Sequence, residues 1–192
     1  MTVPQTPATQ DRTPVELGAT VWLTGLPSAG KTTIAAALAE RLRAEGHRVE
    51  LLDGDEVRRN LTAGLGFGRA DRIENVRRVG YVAHLLARNG VKVLVPVIAP
   101  YAESRQSVRD RHADACTPYL EVHVDAPVEV CAGRDVKGLY ARQRAGELRG
   151  LTGVDDPYEP PDAPELRLPT DVQTPLGSAA AVHAALVERG LA

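Results

Sequence analysis

Thr20-Val-Trp-Leu-Thr24 runs directly into Gly25-Leu-Pro-Ser-Ala-Gly-Lys-Thr32, and helical periodicity follows over 31–45. A short apolar, β-branched stretch followed by GxxxxGK[ST] and then a helix is the context that gives this spacing its meaning. With average residue usage, chance would produce the spacing in roughly 1 of 150 chains of this size, before that context is counted. Gly25 and Gly30 permit backbone angles that turn consecutive N–H groups toward a phosphate at the positive end of a helix. Lys31 then reaches the β- and γ-phosphates, and the Thr32 hydroxyl can ligate Mg²⁺. The stretch reads as a nucleoside triphosphate site.

Outward from this loop, strand runs recur at Val49–Asp53, Val91–Ile98 and Tyr119–Val124, with a short one at Glu165–Leu168. They are not alternating, as expected of strands covered on both faces. Helical stretches lie between them at Asp71–Asn89 and Ala102–Ala115, with a closing helix over Ser178–Glu188. The alternation predicts an α/β fold: a P-loop NTPase-type parallel sheet, helices on both faces, ligands at the C-terminal strand ends. Residues 1–18, rich in Pro, Thr and Gln, read as a flexible N-terminal arm before a single kinase-sized domain over 19–192. Residues 135–161 carry little apolar periodicity but several glycines and many charges, which reads as a mobile lid.

Composition narrows the function. The 192 residues hold 23 Lys plus Arg against 25 Asp plus Glu, a balance that argues against a general nucleic-acid binder. No apolar run approaches the roughly 18 residues of a membrane helix and no signal-peptide core opens the chain, so a cytoplasmic protein is expected. Cys116 and Cys131 show no metal-ligand spacing and are expected to be packed, reduced thiols.

Three further groups carry chemistry. Asp53-Gly-Asp55 closes the second strand run, where a carboxylate can accept the proton of an attacking hydroxyl or help hold a metal; a helix cap is the structural alternative. The run over 91–100 ends without an acid, which strengthens the claim of this pair. Phe67, the single phenylalanine, lies among glycines in Gly64-Leu-Gly-Phe-Gly68, suited to stacking on a planar ligand. Arg58, Arg72 and Asn75 supply donors for phosphate or sulfate oxygens nearby.

These pieces, in order, resemble the adenylylsulfate kinases: GLPSAGKTT, LLDGDEVRRNL, LGFGRADRIENVRRVGYVAHLL, VIAPYAESRQSVR and DVKGLYARQRAGELRGLTGVDDPYEPP. The resemblance spans about Thr20 to Pro161. It implies transfer of the ATP γ-phosphoryl group to the 3′-hydroxyl of adenosine 5′-phosphosulfate, with Mg²⁺ and a homodimeric assembly. It implies an ATP site of Gly25, Leu26, Pro27, Ser28, Ala29, Gly30, Lys31, Thr32 and Thr33 with Arg134, and a metal held by Thr32 and Asp53. Asp55 is implied as the base, with Lys31 and Lys137 as catalytic cations. Asp55, Arg58, Phe67, Arg72, Asn75, Ile98, Lys137, Leu139 and Leu151 are implied to bind the acceptor. A kinase for another small hydroxyl acceptor, or a non-catalytic nucleotide-binding partner of a sulfate-activating enzyme, are the competing readings.

Three positions depart from the family pattern. Ala99 stands where many relatives carry serine, which excludes a phosphoserine there and implies direct transfer. Ala102 replaces an arginine. Leu151 replaces an aromatic expected opposite Phe67, which implies a looser adenine clamp.

Overall fold

A computed structural model describes residues 17–192. Residues 1–16, most of the expected arm, lie outside the described residues. Five strands form one parallel sheet: β1 (Ala19–Thr24), β2 (Val49–Leu51), β3 (Lys92–Pro96), β4 (Tyr119–Asp125) and β5 (Leu166–Pro169), in the order β2-β3-β1-β4-β5. Seven helices accompany them: α1 (Lys31–Ala44), α2 (Gly54–Asn60), α3 (Arg69–Ala87), α4 (Ala102–Asp114), α5 (Val128–Arg134), α6 (Leu139–Arg144) and α7 (Pro175–Val187). Of these, α2, α5 and α6 are absent from the sequence reading. Each has six or seven residues, too short for apolar periodicity to register.

Strand β1 is buried along its whole length between β3 and β4. Its period of two divides the core. Val21 and Leu23 face Ile34, Leu38, Val182 and Leu186 on one side of the sheet, while Trp22 joins Val76, Val79, Ala83 and Val108 on the other. Both faces are therefore sealed by helices, which is why these strands are apolar without alternation. Of the two thiols, Cys131 is buried as expected. Cys116, in the turn after α4 at φ 49°, is exposed rather than packed.

Behind the sheet, Trp22, Tyr119, His112 and His84 form a file of rings, with neighbouring centroids 6.4, 5.1 and 5.2 Å apart. His112 is fully buried. Its Nδ1 lies 2.8 Å from the Val108 carbonyl, which can only accept, so Nδ1 carries the proton and Nε2 faces the Thr20 hydroxyl at 2.9 Å. Burial pushes its pKa down to about 4, against a smaller upward pull from Val108. The native state thus binds fewer protons than the unfolded chain between the ordinary imidazole value and about pH 4. That stability is present above pH 6.5 and is lost as the pH falls through this window. The urea midpoint is expected to drop steadily between pH 6.5 and 4.5, and His112→Gln to flatten that slope; parallel slopes for parent and variant would remove His112 as the cause.

Candidate active site

The loop after β1 is shaped by backbone constraint before any ligand is considered. A Cβ on Gly25 would sit 2.3 Å from the Val124 carbonyl oxygen of β4, so only glycine passes this point. Ser28 and Gly30 then adopt positive φ, 62° and 109°, and Gly30 caps α1 without a side chain. The first N–H groups of α1 lack intrahelical acceptors and carry the positive end of the helix dipole. Lys31, 8% exposed, folds across the loop and donates from Nζ to the Gly25 and Leu26 carbonyls at 2.8 and 2.7 Å. Burial pushes its pKa down to about 7, with the nearby Cys131 thiol opposing and Lys137 adding to the shift. The negative charge of an arriving phosphate would offset that desolvation and secure the ammonium.

The remaining loop residues have separate attachments. The Pro27 carbonyl accepts the Tyr140 hydroxyl of α6 at 3.0 Å, and the Ala29 carbonyl accepts Arg134 at 3.3 Å and the Thr170 hydroxyl at 2.8 Å. Ser28, Ala29, Gly30 and Thr33 line one side of a cavity of about 320 Å³, and Arg134, Val136, Thr170 and Gln173 line the other.

Asp53 and Asp55 come from the same turn but face different partners. The hydroxyl of Thr32 donates to Asp53 Oδ2 at 3.1 Å, joining the phosphate loop to the end of β2. Asp53 Oδ1 accepts the Asp55 N–H at 3.0 Å, so the α2 cap is Asp53, not Asp55. A cap must precede the helix, and α2 begins at Gly54. The Asp55 carboxylate is thereby released from capping. It pairs with the ammonium of Lys137, which comes from the segment between α5 and α6.

The acceptor side is built by the loop before α3 and by residues 150–156. Phe67 is 67% exposed, and the Arg58 guanidinium lies 4.4 Å from its ring centroid while donating to the Gly66 carbonyl at 3.2 Å. Arg72, buried, donates to the Phe67 carbonyl at 2.7 Å, the Thr152 hydroxyl at 2.7 Å and the Gly150 carbonyl at 2.6 Å, with Asp156 3.6 Å away. It therefore brackets the two walls together. Asn75 is buried and accepts the Thr62 hydroxyl at 2.8 Å. Ile98 is half-buried, its carbonyl accepting the Thr24 hydroxyl at 2.6 Å. Leu139 opens α6 and packs on the core. Leu151, 5% exposed, belongs to the core cluster that also holds Tyr140, whereas Phe67 stands out in solvent.

Residues 135–161 are more ordered than their composition predicts. They contain α6 and a bridge between Thr152 and Asp156, and Asp155 accepts the N–H groups of Gly150 and Leu151 at 2.9 and 2.6 Å, which holds its carboxyl below the usual range. Gly153, at φ 87°, packs so closely on Leu26 that a Cβ would come within 2.4 Å of Leu26 Cδ2. Sequence reasoning assigned no role to Arg105, Tyr140, Tyr158, Glu159 or Thr170. Arg105 is one of several charged residues of α4, and nothing local says that it is only 3% exposed.

A family model described as adenylylsulphate kinase matches residues 17–169. The chain is 59% identical over 156 residues to the adenylyl-sulfate kinase of Picosynechococcus sp., covering 81% of this chain and 86% of that protein. It is 55% identical over 173 residues to the adenylyl-sulfate kinase of Microcystis aeruginosa, covering 90% and 93%. Among solved structures, the Mycobacterium tuberculosis APS kinase in complex with AMPPNP and APS superposes with a TM-score of 0.87 at 45% identity, over 90% of this chain and 99% of that one.

The bracket made by Arg72 has a direct consequence. Arg72→Met leaves the Gly150 carbonyl and the Thr152 hydroxyl without their donor, and a lost hydrogen bond of this kind costs about 1–3 kcal/mol. Trypsin cleavage after Arg149 is expected to accelerate by about tenfold or more, because local opening governs cleavage. An unchanged digestion rate would mean that the segment is anchored elsewhere.

Proposed function

The chain belongs to the adenylylsulphate kinase family, and from that premise we propose how its residues carry out the reaction. The chain transfers the γ-phosphoryl group of ATP to adenosine 5′-phosphosulfate, giving 3′-phosphoadenosine 5′-phosphosulfate and ADP. Phosphoryl transfer needs positioning and charge neutralisation more than covalent chemistry from the protein. The observation that carries the assignment of roles is the pairing of each carboxylate: Asp53 with Thr32 of the phosphate loop, Asp55 with Lys137 of the lid.

In this reading Lys31 and the backbone N–H groups between Gly25 and Thr33, other than at Pro27, hold the triphosphate, with the nucleoside in the cavity beside Arg134. Thr32 and Asp53 offer neighbouring oxygen donors, the hard-ligand chemistry that Mg²⁺ prefers, so these two residues would hold the ion. When bound, Mg²⁺ neutralises charge on the β- and γ-phosphates. Asp55 orients the 3′-hydroxyl and accepts its proton, and Lys137 passes from Asp55 toward the transferring group as the lid closes. Arg58 and Phe67 flank the acceptor adenine, and Arg72 and Asn75 hold the walls around its phosphosulfate and ribose. Ile98 and Leu139 complete the apolar lining, whereas Leu151 packs into the core instead of facing Phe67. Ala99 is buried and has no hydroxyl, which supports direct transfer without a phosphoenzyme at that position. A homodimer and an intracellular site of action, where ATP is supplied, complete the proposal; no helix of the described residues is long and apolar enough to cross a membrane.

Coupled ADP release with MgATP is expected with adenosine 5′-phosphosulfate and not with adenosine monophosphate, gluconate or shikimate. Asp55→Asn is expected to lower turnover about 100-fold or more while ATP binding, followed by calorimetry, persists. Undiminished turnover in that variant would remove Asp55 from the mechanism.

A further inference from the structure

After β3 the chain turns through Ile98, Ala99 and Pro100 before entering α4. Ala99 has φ 43°, a left-handed angle that non-glycine residues avoid, and it precedes proline, which adds its own restriction on the preceding residue. Such a turn persists only where its surroundings over-determine it. Here they do. The three successive carbonyls are each held by a different element: Ile98 by the Thr24 hydroxyl at 2.6 Å, Ala99 by Arg105 Nη1 at 2.7 Å, and Pro100 by the Glu159 N–H at 2.8 Å.

Arg105 stands at the centre of this arrangement. It is 3% exposed, and besides Ala99 it donates to the Glu159 carbonyl at 2.7 Å and to Glu121 Oε1 of β4 at 2.8 Å. Glu159 returns to the same turn by a second route, its carboxylate accepting the Ala102 N–H at 2.7 Å. Tyr101, at the cap position of α4, makes no side-chain cap bond of its own, so the α4 N-terminus is capped from a residue 57 positions away. Tyr158, whose hydroxyl lies 3.1 Å from Thr24 Oγ1, closes the ring against the strand that leads into the phosphate loop. Burial pushes the Tyr158 pKa up to about 12, so this hydroxyl stays protonated.

We propose that Arg105, with Glu159, is a positioning residue for the acceptor: it locks the strained Ile98–Pro100 turn to the root of the lid and so sets the wall against which the acceptor nucleotide lies. This rests on the proposed function, in which Ile98 lines the acceptor site. Neither residue touches the reacting groups. A lysine at 105 keeps a buried cation beside Glu121 but lacks the planar fork that serves three acceptors at once. The turn would then be free to relax away from its disfavoured angles, weakening acceptor binding while leaving the phosphate loop in place.

The test is a steady-state comparison of the parent chain with Arg105→Lys, varying adenosine 5′-phosphosulfate and MgATP separately. The expected result is an acceptor KM raised about tenfold, with kcat and the ATP KM within about twofold of the parent. An acceptor KM within twofold, or acceptor and ATP KM rising together, overturns the proposal, because a purely structural role would lower the melting temperature without this split. If Arg105→Lys does not fold, Glu159→Ala carries the test. That side chain is half-exposed, and an acceptor KM raised about threefold or more supports the clamp, whereas an unchanged one overturns it. Failure of the proposed function is a separate observation, since it shows as absence of turnover in the parent chain itself.

Discussion

The close approach of Gly25 to the Val124 carbonyl is the constraint on which the site depends. With no side chain possible at that point, the chain leaves β1 hard against β4 and must turn through positive φ at Ser28 and Gly30 before α1 can begin. This turn sets where the free N–H groups of α1 point and brings Thr32 within 3.1 Å of Asp53 at the end of β2. The sheet supplies the rigidity. Because β1 is central and buried on both faces, the loop it carries cannot shift without disturbing two helical layers.

From that origin, charge is distributed with little redundancy. Asp53 serves as helix cap and as partner of Thr32, which frees Asp55 to meet Lys137. The side chains of Asp55 and Lys137 are 62% and 57% exposed, and an exposed ion pair of this kind contributes only about 0–1 kcal/mol. Such a contact is easily exchanged for one with phosphate, which suits a lid residue. The contacts of Arg72 and Arg105 are of the opposite kind. Both guanidiniums are buried and multiply bonded, and each ties the segment after α6 to an acceptor-side wall. The lid is thus firmly rooted at 150–159, and its exchangeable contact lies at Lys137.

The same division explains which parts were legible before the structure. All five strands and helices α1, α3, α4 and α7 were visible, the strands as short apolar runs and the helices as the longer stretches that separate or follow them. The phosphate loop and the Asp53–Asp55 pair were visible because their chemistry is compressed into a few adjacent residues. Phe67 lies on glycine-rich chain and is exposed there. Helices α2, α5 and α6 were missed, since six or seven residues carry no readable period.

Residue types and local spacing in the sequence by themselves determined the parallel α/β architecture, the phosphate loop and the carboxylates beside it. Only the tertiary structure decided that Asp53 rather than Asp55 caps α2, that Leu151 packs into the core, and that Arg72 and Arg105 are buried brackets. The physical reason is separation along the chain. Arg72 finds Thr152 80 residues away and Arg105 finds Glu159 54 residues away, so their bonding depends on how the sheet brings distant segments together, which no local pattern of residues records.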